Sequence, residues 1–257
     1  MTGPKDYEGQ YLYCIIRSSE PQQFSTLGIG GRSDIVHTVQ YEDMAAVVSD
    51  SPIVEYDNTR RNMMAHTVVL EEVMQRFTIL PVRFDTVAPD EKTVQEKLLK
   101  RRYGELIMLL RDMDGLVELG LKAFWYEGII FEEILATNPG IRELRDKLVR
   151  RPAEETYYER MSLGEKVEAA MNRKRVEDSE YILSRLRPLV SKTRKNPEIT
   201  DRMVLNAAFL LEKEHQTDFD AAVQALDGEI GKRLIFKYVG PVPPYNFVNI
   251  VVRWDEE

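Results

Sequence analysis

The side chains that most often perform acid–base, nucleophilic or metal chemistry are few in this sequence and widely separated. The chain has three histidines, His37, His66 and His215, and one cysteine, Cys14. It contains no Gly-x-Ser-x-Gly, no His-Glu-x-x-His, no Cys-x-x-Cys and no Gly-x-Gly-x-x-Gly that opens a helix. A histidine-centred site would therefore require the fold to bring distant residues together. The sequence predicts no catalytic residues, no metal site and no cofactor.

One glycine cluster, in residues 27–33, has a composition that is able to cradle a phosphate group. Phosphate loops follow a strand and open a helix, whereas the residues after this cluster alternate like a strand. The cluster also lacks the Gly-Lys-Ser/Thr of a nucleotide-binding loop. We interpret it as a turn between strands. Binding of a small ligand or nucleotide by the loop from Gly28 to Gly31 remains the alternative function.

The composition indicates a globular protein with a substantial core. The chain has 257 residues, of which 43% are hydrophobic and 30% charged, and its net charge is -8. A negative charge argues against nucleic-acid binding, since that binding depends on neutralising phosphates. No apolar run is long enough for a membrane helix, and a single cysteine excludes an internal disulfide and a cysteine-based zinc site.

Residue spacing predicts an α+β domain at the start of the chain. Apolar residues 11–17 indicate a central strand, in which Cys14 is a small buried side chain. Asn58 is expected to cap the first helix, and Pro81 places its own strand at an edge or a bend. The predicted order is β-β-β-α-β-α, with strands 11–17, 35–41, 45–49 and 78–84 and helices 59–77 and 90–112.

The second half predicts a β-α-β-α-β unit with a long helical insertion. Its first strand, 117–125, alternates so that Glu118 and Lys122 are expected to face solvent. The helical region covers residues 126–196. The remaining elements are a strand at 201–212, a helix at 218–231 and a strand at 234–238. We therefore expect two α+β domains, residues 1–114 and 115–257.

A polar stretch, residues 172–180, interrupts the apolar stripe of the long helix in this insertion. A helix segment without an apolar face is not expected to be buried. Residues 142–195 have a net charge of +5, in contrast to the negative charge of the whole chain. The stretch is interpreted either as a solvated span or as a basic arm, Arg173, Lys174 and Arg175, that contacts a partner.

The C-terminal residues combine a strand with a proline-rich aromatic tail, residues 240–257. The apolar run 234–239 is expected to end at Gly240 and Pro241, because proline cannot donate to a sheet ladder. The stiff segment after it is expected to act as a lid that packs Tyr245 and Phe247 onto the body of the protein. Residues 248–252 are β-rich and predict a short extra strand.

Two motifs resemble a known family. Phe236-Lys-Tyr-Val-Gly-Pro-Val-Pro-Pro-Tyr-Asn-Phe-Val248 is similar to the closing signature of the gas vesicle protein F/L family. Leu80-Pro-Val-Arg-Phe-Asp-Thr86 is similar to a second motif, in which the family usually has Pro-Val-Arg-Phe-Gly-Thr. Here Asp85 replaces the glycine of a tight turn. The resemblance spans residues 11–248 and favours the F branch over the L branch.

The resemblance implies a non-enzymatic accessory or structural protein that is required for gas vesicle assembly. It implies binding to the hydrophobic shell protein and to other gas vesicle proteins, and location at the vesicle and in the cytoplasm. From the charge and the lack of a long apolar run, we expect no nucleic-acid or lipid membrane partner. The resemblance also implies two α+β domains, the second a modified ferredoxin-like unit. The motif residues expected to take part in interactions are Pro81, Val82, Arg83, Phe84, Tyr238, Gly240, Pro241, Pro244, Tyr245 and Phe247.

Overall fold

The computed structural model describes residues 8–254, which form an α+β protein of two compact units. The first unit contains residues 8–118 together with residues 241–254, and the second contains Leu119–Gly240. Residues 240–257 were expected in the second domain, whereas residues 241–254 pack with the first unit. None of the helices in residues 8–254 is both long enough and apolar enough to span a membrane.

The first unit is built on a six-stranded sheet with β1 near its centre. The strands are β1 (Glu8–Arg17), β2 (Gln23–Leu27), β3 (Ile35–Tyr41), β4 (Met44–Pro52), β5 (Ile79–Pro81) and β6 (Val87–Ala88). Their order is β2-β3-β4-β1-β5, and β6 also pairs with β1. Residues 9–16 of β1 are buried, which confirms the predicted central strand. The strand β2 was not predicted, because its short, mostly polar sequence reflects an edge position.

The helices of the first unit are α1 (Arg60–Met74), α2 (Glu91–Thr93), which continues as a π-helical segment (Val94–Lys100), and α3 (Tyr103–Asp112). Helix α1 packs Val69, Leu70 and Val73 against the sheet. Its cap is Thr59, whose Oγ1 accepts a hydrogen bond from the Asn62 N–H, so the prediction of Asn58 as cap was wrong. The single helix predicted for residues 90–112 is interrupted after Lys100.

The second unit combines a four-stranded sheet with most of the predicted helical region. Its elements are β7 (Leu116–Trp125), α4 (Ile129–Thr137), α5 (Pro139–Val149), α6 (Tyr157–Leu186), β8 (Lys192–Lys195), β9 (Met203–Glu212), α7 (Gln216–Ile230) and β10 (Leu234–Val242). The strand order is β10-β7-β9-β8. The predicted sequence of elements omitted β8, because its residues Lys-Thr-Arg-Lys carry no apolar pattern. The strand lies at an edge, where such residues are tolerated.

Three predictions at the ends of these strands need correction. Glu118 was expected to face solvent, but only 2% of it is exposed. Strand β10 was expected to end at Gly240, but it continues through Pro241 to Val242. It is an edge strand, so one side of its backbone needs no ladder partner and a proline is accommodated. Residues 248–252 form only an isolated parallel bridge, between Ile250 and Val82.

Candidate interaction site

Parts of the two sequence motifs lie side by side in the first unit. Pro81 ends the edge strand β5, and the Val82 N–H then donates to the Tyr13 carbonyl at 2.9 Å. The Arg83 N–H donates to the carbonyl of Ile250 at 3.3 Å, next to the bridge between Val82 and Ile250. The C-terminal segment therefore runs along the chain that leaves β5. The structure brings together motif residues that are more than 160 positions apart in sequence.

A cleft of about 340 Å³ opens where these segments meet helix α1. Most of its accessible lining is apolar. The lining residues are Met63, His66, Thr67, Pro81, Val82, Arg83, Phe84, Tyr245, Val248 and Asn249. On the same helix, Met63, Met64 and Val68 are exposed to solvent. We call this cleft and the three exposed α1 side chains the apolar surface. Its size and composition suit the side chains of a protein partner.

A buried polar pair supports the cleft from below. The Tyr11 hydroxyl accepts a hydrogen bond from the Asp85 N–H at 3.2 Å and lies 3.0 Å from Nδ1 of His66. The hydroxyl and His66 Nδ1 share one hydrogen bond, whose donor is set by the histidine tautomer. Burial lowers the pKa of His66 to about 4, so the imidazole is neutral at physiological pH. His66 contributes packing and hydrogen bonding, and within residues 8–254 no group of three or more His, Cys, Asp or Glu side chains could hold a metal ion.

Side chains of the first unit hold the C-terminal segment in place. The buried carboxylate of Glu118 accepts from the Asn246 N–H at 2.9 Å and from its Nδ2 at 2.6 Å. Lys97 and Arg102 donate to the carbonyls of Trp254 and Val251 at 2.8 and 3.0 Å. The segment is thus fastened at several points along its length, and we call residues 241–254 the strap.

The side chains that the strap buries differ from those expected. Pro243, Pro244, Val248 and Ile250 are buried, whereas Phe247 is half-buried and Tyr245 is 42% exposed. Burial of its hydroxyl nevertheless raises the pKa of Tyr245 to about 12. The prediction that Tyr245 and Phe247 anchor a lid was therefore only partly right. The prolines and aliphatic residues supply the packing, and Tyr245 lines the cleft.

Asp85 occupies the position at which the resemblance led us to expect glycine. Its backbone has φ = 66°, in the left-handed region that favours glycine. The side chain compensates, because Oδ1 accepts a hydrogen bond from the Tyr56 N–H at 2.6 Å. The tight turn is therefore retained with aspartate, one of the few residues that tolerate this conformation.

The first part of the C-terminal motif lies in the second unit and does not join the cleft. Tyr238 and Gly240 are on β10, and the Tyr238 hydroxyl donates to the Asp220 carboxylate. The Tyr238 ring also lies 6.0 Å from the ring of Phe219. These contacts give Tyr238 a structural role within that unit. Pro241 begins the strap and Pro244 lies within it.

The residues proposed as a basic arm are engaged with their own unit. Arg175 donates to the carbonyls of Met203 and Asp201 at 3.0 and 2.8 Å, and its guanidinium lies 5.5 Å from the Trp125 ring centroid. Lys174 Nζ is 3.2 Å from Asp178 Oδ1. Arg173 is exposed. Of the three side chains, Lys174 and Arg175 bind groups of their own unit, so a basic arm formed by all three stays a prediction.

Two residues in the polar middle of α6, Asp178 and Ser179, are buried, whereas one interpretation of the sequence was a solvated span. Asp178 is 6% exposed and accepts a hydrogen bond from Trp125 Nε1 at 2.9 Å. Arg233 Nη2 approaches the same carboxylate at 3.1 Å and also bonds Glu133 at 2.7 Å. A hydrogen-bonded ion-pair network thus replaces the missing apolar face.

The loop from Gly28 to Gly31, which was the ligand site of the alternative function, makes close contacts with other residues of the protein. The Ile29 N–H donates to the Tyr13 hydroxyl at 2.8 Å, and the Gly28 N–H donates to the Asp34 carbonyl at 2.8 Å. A Cβ at Gly28 would lie 2.5 Å from Ser49 Oγ, and one at Gly31 would lie 2.6 Å from an Arg61 nitrogen. These amides are committed to internal contacts and do not form an open phosphate cradle.

Sequence reasoning missed the α1 side of the site. His66 was noted only as one of three separated histidines, and Met63 and Met64 were not assigned to a surface of α1. A helical plot places Val69, Leu70 and Val73 on the core face and leaves Met64 and Val68, four residues apart, on the outer face. That pattern was a usable signal for an exposed apolar strip.

Comparisons with known proteins agree on one family. The family described as gas vesicle synthesis protein GvpL/GvpF matches residues 9–249. Gas vesicle protein F of Streptomyces sp. (strain CB03234) is 33% identical over 240 residues, which cover 93% of this chain and 99% of that protein. The crystal structure of gas vesicle protein GvpF from Anabaena sp. PCC7120 superposes with a TM-score of 0.82 at 25% identity, covering 95% of this chain and 100% of that one. Gas vesicle protein L1 of Halobacterium salinarum is less similar, with 23% identity.

Proposed function

Because the chain belongs to the GvpL/GvpF family of gas vesicle synthesis proteins, and lies nearer to its F members, we propose that it is a non-enzymatic assembly factor that binds the hydrophobic shell protein. An accessory role in gas vesicles follows from the relatives named gas vesicle protein F. Binding of the shell protein is the more specific part of the proposal, because the names of the relatives do not state a partner. The proposal places this protein in the cytoplasm and at the growing vesicle, with other gas vesicle proteins as further partners.

The physical task of such a factor is to keep an apolar, self-associating subunit from aggregating before it reaches the shell. Covering the apolar surface of the subunit with a matching surface achieves this, since removal of apolar area from water is the main driving force of association. A cleft with a flexible methionine rim is suited to that task, because methionine adapts its shape to different partners.

The observation that carries the proposal is the convergence of two motifs on one exposed cleft. Residues 81–84 are distant in sequence from Tyr245, Val248 and Asn249, yet both sets line the cleft beside Met63. Buried contacts alone would explain Pro81 and Val82, but they do not explain why Tyr245, Met63 and Met64 remain exposed. A partner that covers these three side chains accounts for their exposure and for the convergence of the two motifs.

We also propose that the protein catalyses no reaction. The absence of an enzymatic role is supported by the burial of His66, the one histidine at the cleft, which is only 2% exposed and hydrogen-bonded to Tyr11. We further propose that the second unit is a modified ferredoxin-like domain. Its elements follow one another as β-α-β-β-α-β, with α4, α5 and α6 in place of a single first helix, and its strand order is β10-β7-β9-β8.

Co-purification tests this function. The shell subunit would be co-expressed with a tagged form of this protein, and the amount of subunit retained would be measured after washing. We expect retention by the wild type and a strong loss with Met64→Lys, which places a charge on the apolar surface. Met108→Lys is the matched control, because Met108 is also an exposed methionine, on α3. No retention by the wild type would reject the proposed function.

A further inference from the structure

We infer that Arg83 recognises a carboxylate that lies next to the apolar segment of the shell subunit bound in the cleft. This inference rests on the proposed function and deepens it, because it states which chemistry selects the bound segment. The occupant is a stretch of the subunit whose apolar side chains enter the cleft and whose neighbouring Asp or Glu reaches Arg83.

The position of Arg83 is the first support. Its side chain is exposed and lines the 340 Å³ cleft, and it also lines a neighbouring cleft of about 290 Å³ together with Tyr56, Asp85 and Val251. Arg83 therefore stands on the rim that the two clefts share. A side chain at this position is accessible from solvent and close to whatever enters either cleft.

The backbone of Arg83 is fixed on both sides. Its N–H donates to the Ile250 carbonyl at 3.3 Å, and its carbonyl accepts from Thr86 Oγ1 at 2.7 Å. A fixed backbone lowers the entropy that is lost when the side chain is ordered by a partner. The strap thus contributes to the site by holding the residue that is proposed to bind.

The charge of the cleft is the second support. Of the ten residues that line it, Arg83 is the only one that is ionised at neutral pH, since His66 is neutral and the others are apolar or uncharged. Within residues 8–254 the Arg83 guanidinium has no ion-pair partner, whereas Arg17, Arg32 and Arg102 are paired with carboxylates. The nearby Asp85 uses Oδ1 to accept from the Tyr56 N–H.

A single unpaired cation beside an apolar cleft is complementary to a carboxylate beside an apolar segment. Guanidinium binds carboxylate in a bidentate geometry, which gives orientation as well as affinity. The interaction strengthens when the surrounding apolar contacts exclude water. Asn249 and Thr67, which also line the cleft, provide further polar groups for the same segment. An apolar peptide without an acidic residue would leave Arg83 covered and unpaired, so the site disfavours it.

A charge-reversal experiment tests the inference with the same tagged protein and shell subunit. Arg83→Glu is expected to weaken retention by at least about tenfold, because the mutant carboxylate repels the acidic residue. Arg111→Glu, at an exposed arginine on α3, makes the same change in net charge and is expected to leave retention within about twofold. Thermal unfolding of both variants should match the wild type.

A charge change in the shell subunit that restores binding to Arg83→Glu identifies the residue that contacts Arg83. Each Asp and Glu of the shell subunit would be changed to Lys in turn and tested against Arg83→Glu. Recovery of retention by one of these changes supports the inference. If the wild type retains the subunit and Arg83→Glu retains it equally well, the inference is wrong while the proposed function stands. If Arg83→Glu loses retention and no subunit change restores it, direct carboxylate recognition is also rejected. If the wild type does not retain the shell subunit, both the inference and the proposed function are rejected.

Discussion

Glu118 and Asn246 form a two-point hydrogen bond between residues 128 positions apart in sequence. The carboxylate is buried, and both of its oxygens accept from the same asparagine, one from the backbone and one from the side chain. A buried carboxylate is tolerated only when hydrogen bonds replace its hydration. The pair therefore fixes the strap at Asn246, and its hydrogen bonds allow the Glu118 carboxylate to be buried.

Removal of the Asn246 side chain should destabilise the first unit. Asn246→Ala deletes the Nδ2 donor and leaves one buried carboxylate oxygen without it, which we expect to cost about 1.5–3 kcal/mol. The free energy of unfolding from chemical denaturation measures this loss. Asn249→Ala is the control, because Asn249 is exposed on the same strap. Equal effects of the two substitutions would contradict a special role for the Glu118–Asn246 pair.

Glu72 protects the edge of the first sheet and should make stability depend on pH. Its carboxylate accepts from the backbone N–H groups of Ser25 and Thr26, each at 2.8 Å, where β2 has its open edge. Burial acts to raise its pKa, but the hydrogen bonds from Thr26 and Ser25 outweigh burial and lower the pKa to about 2. A lowered pKa means that the charged form is stabilised by folding.

The contribution of Glu72 is therefore present above its unfolded pKa of about 4.5 and is lost as the pH falls from there toward 2. We expect Glu72→Gln to cost about 2 kcal/mol at pH 7. The difference from the wild type should shrink between pH 4.5 and pH 3, measured by denaturant unfolding at each pH. Glu71→Gln, at the exposed neighbouring residue, should show no such trend. A difference that is constant with pH would argue against the hydrogen-bonded carboxylate.

A substitution series at Asp85 separates backbone strain from side-chain bonding. Asp85→Ala keeps the left-handed φ and loses the acceptor for the Tyr56 N–H, so it should cost about 2 kcal/mol. Asp85→Gly loses the same acceptor but removes the strain, and should cost about 1 kcal/mol. Asp85→Asn keeps both an acceptor and tolerance of this conformation, and should be nearly neutral. Thermal unfolding of the three variants tests this order of stability. An Asp85→Gly protein that is less stable than Asp85→Ala would refute it.

Asp178 should be essential to the second unit, although its sequence surroundings suggest a solvated helix. Asp178→Ala removes the acceptor of Trp125 Nε1 and the carboxylate next to Arg233, which we expect to cost about 3 kcal/mol. Glu177→Ala, one residue earlier, changes a side chain that is 67% exposed and should cost less than about 0.5 kcal/mol. Unfolding followed by Trp fluorescence measures both. Similar losses would show that the network contributes little.

The parts of the fold that were predictable are those that local pattern decides. The apolar run of β1 predicts a strand buried on both faces, and the helical spacing of α1 predicts its core face. The helix predicted to begin at residue 90 is capped by Asp90, whose Oδ1 accepts from the Thr93 N–H at 2.6 Å. In each case the residues that determine the structure are close in sequence.

The parts that were missed depend on partners that are distant in sequence. Glu118 follows an alternating pattern, and its buried carboxylate bonds to Asn246, 128 residues away in sequence. Asp178 lies in a polar stretch, and its buried position depends on the distant residues Trp125 and Arg233. The cleft itself is formed by three separate segments, so no single pattern could indicate it. Edge strands β2 and β8 were missed because an edge needs few apolar residues.

Truncation after Gly240 distinguishes a strap that stabilises from a strap that only docks a partner. Deletion of the strap removes the buried side chains of Val248 and Ile250, and their loss alone should cost about 3–6 kcal/mol. We expect the first unit to unfold at a temperature lower by roughly 10 °C or more, measured by calorimetry. Retention of the shell subunit should fall with it, because the strap also holds Arg83 and carries Tyr245.

Two point variants provide the matched comparison in the full-length chain. Val248→Ser changes a buried residue of the strap and should lower the unfolding temperature, whereas Val251→Ser changes one that is 38% exposed and should have little effect. If the truncated protein unfolds at the wild-type temperature and loses only the shell subunit, the strap is a docking segment and its packing is secondary. Loss of stability by Val248→Ser but not by Val251→Ser would instead assign the strap to the fold of the first unit.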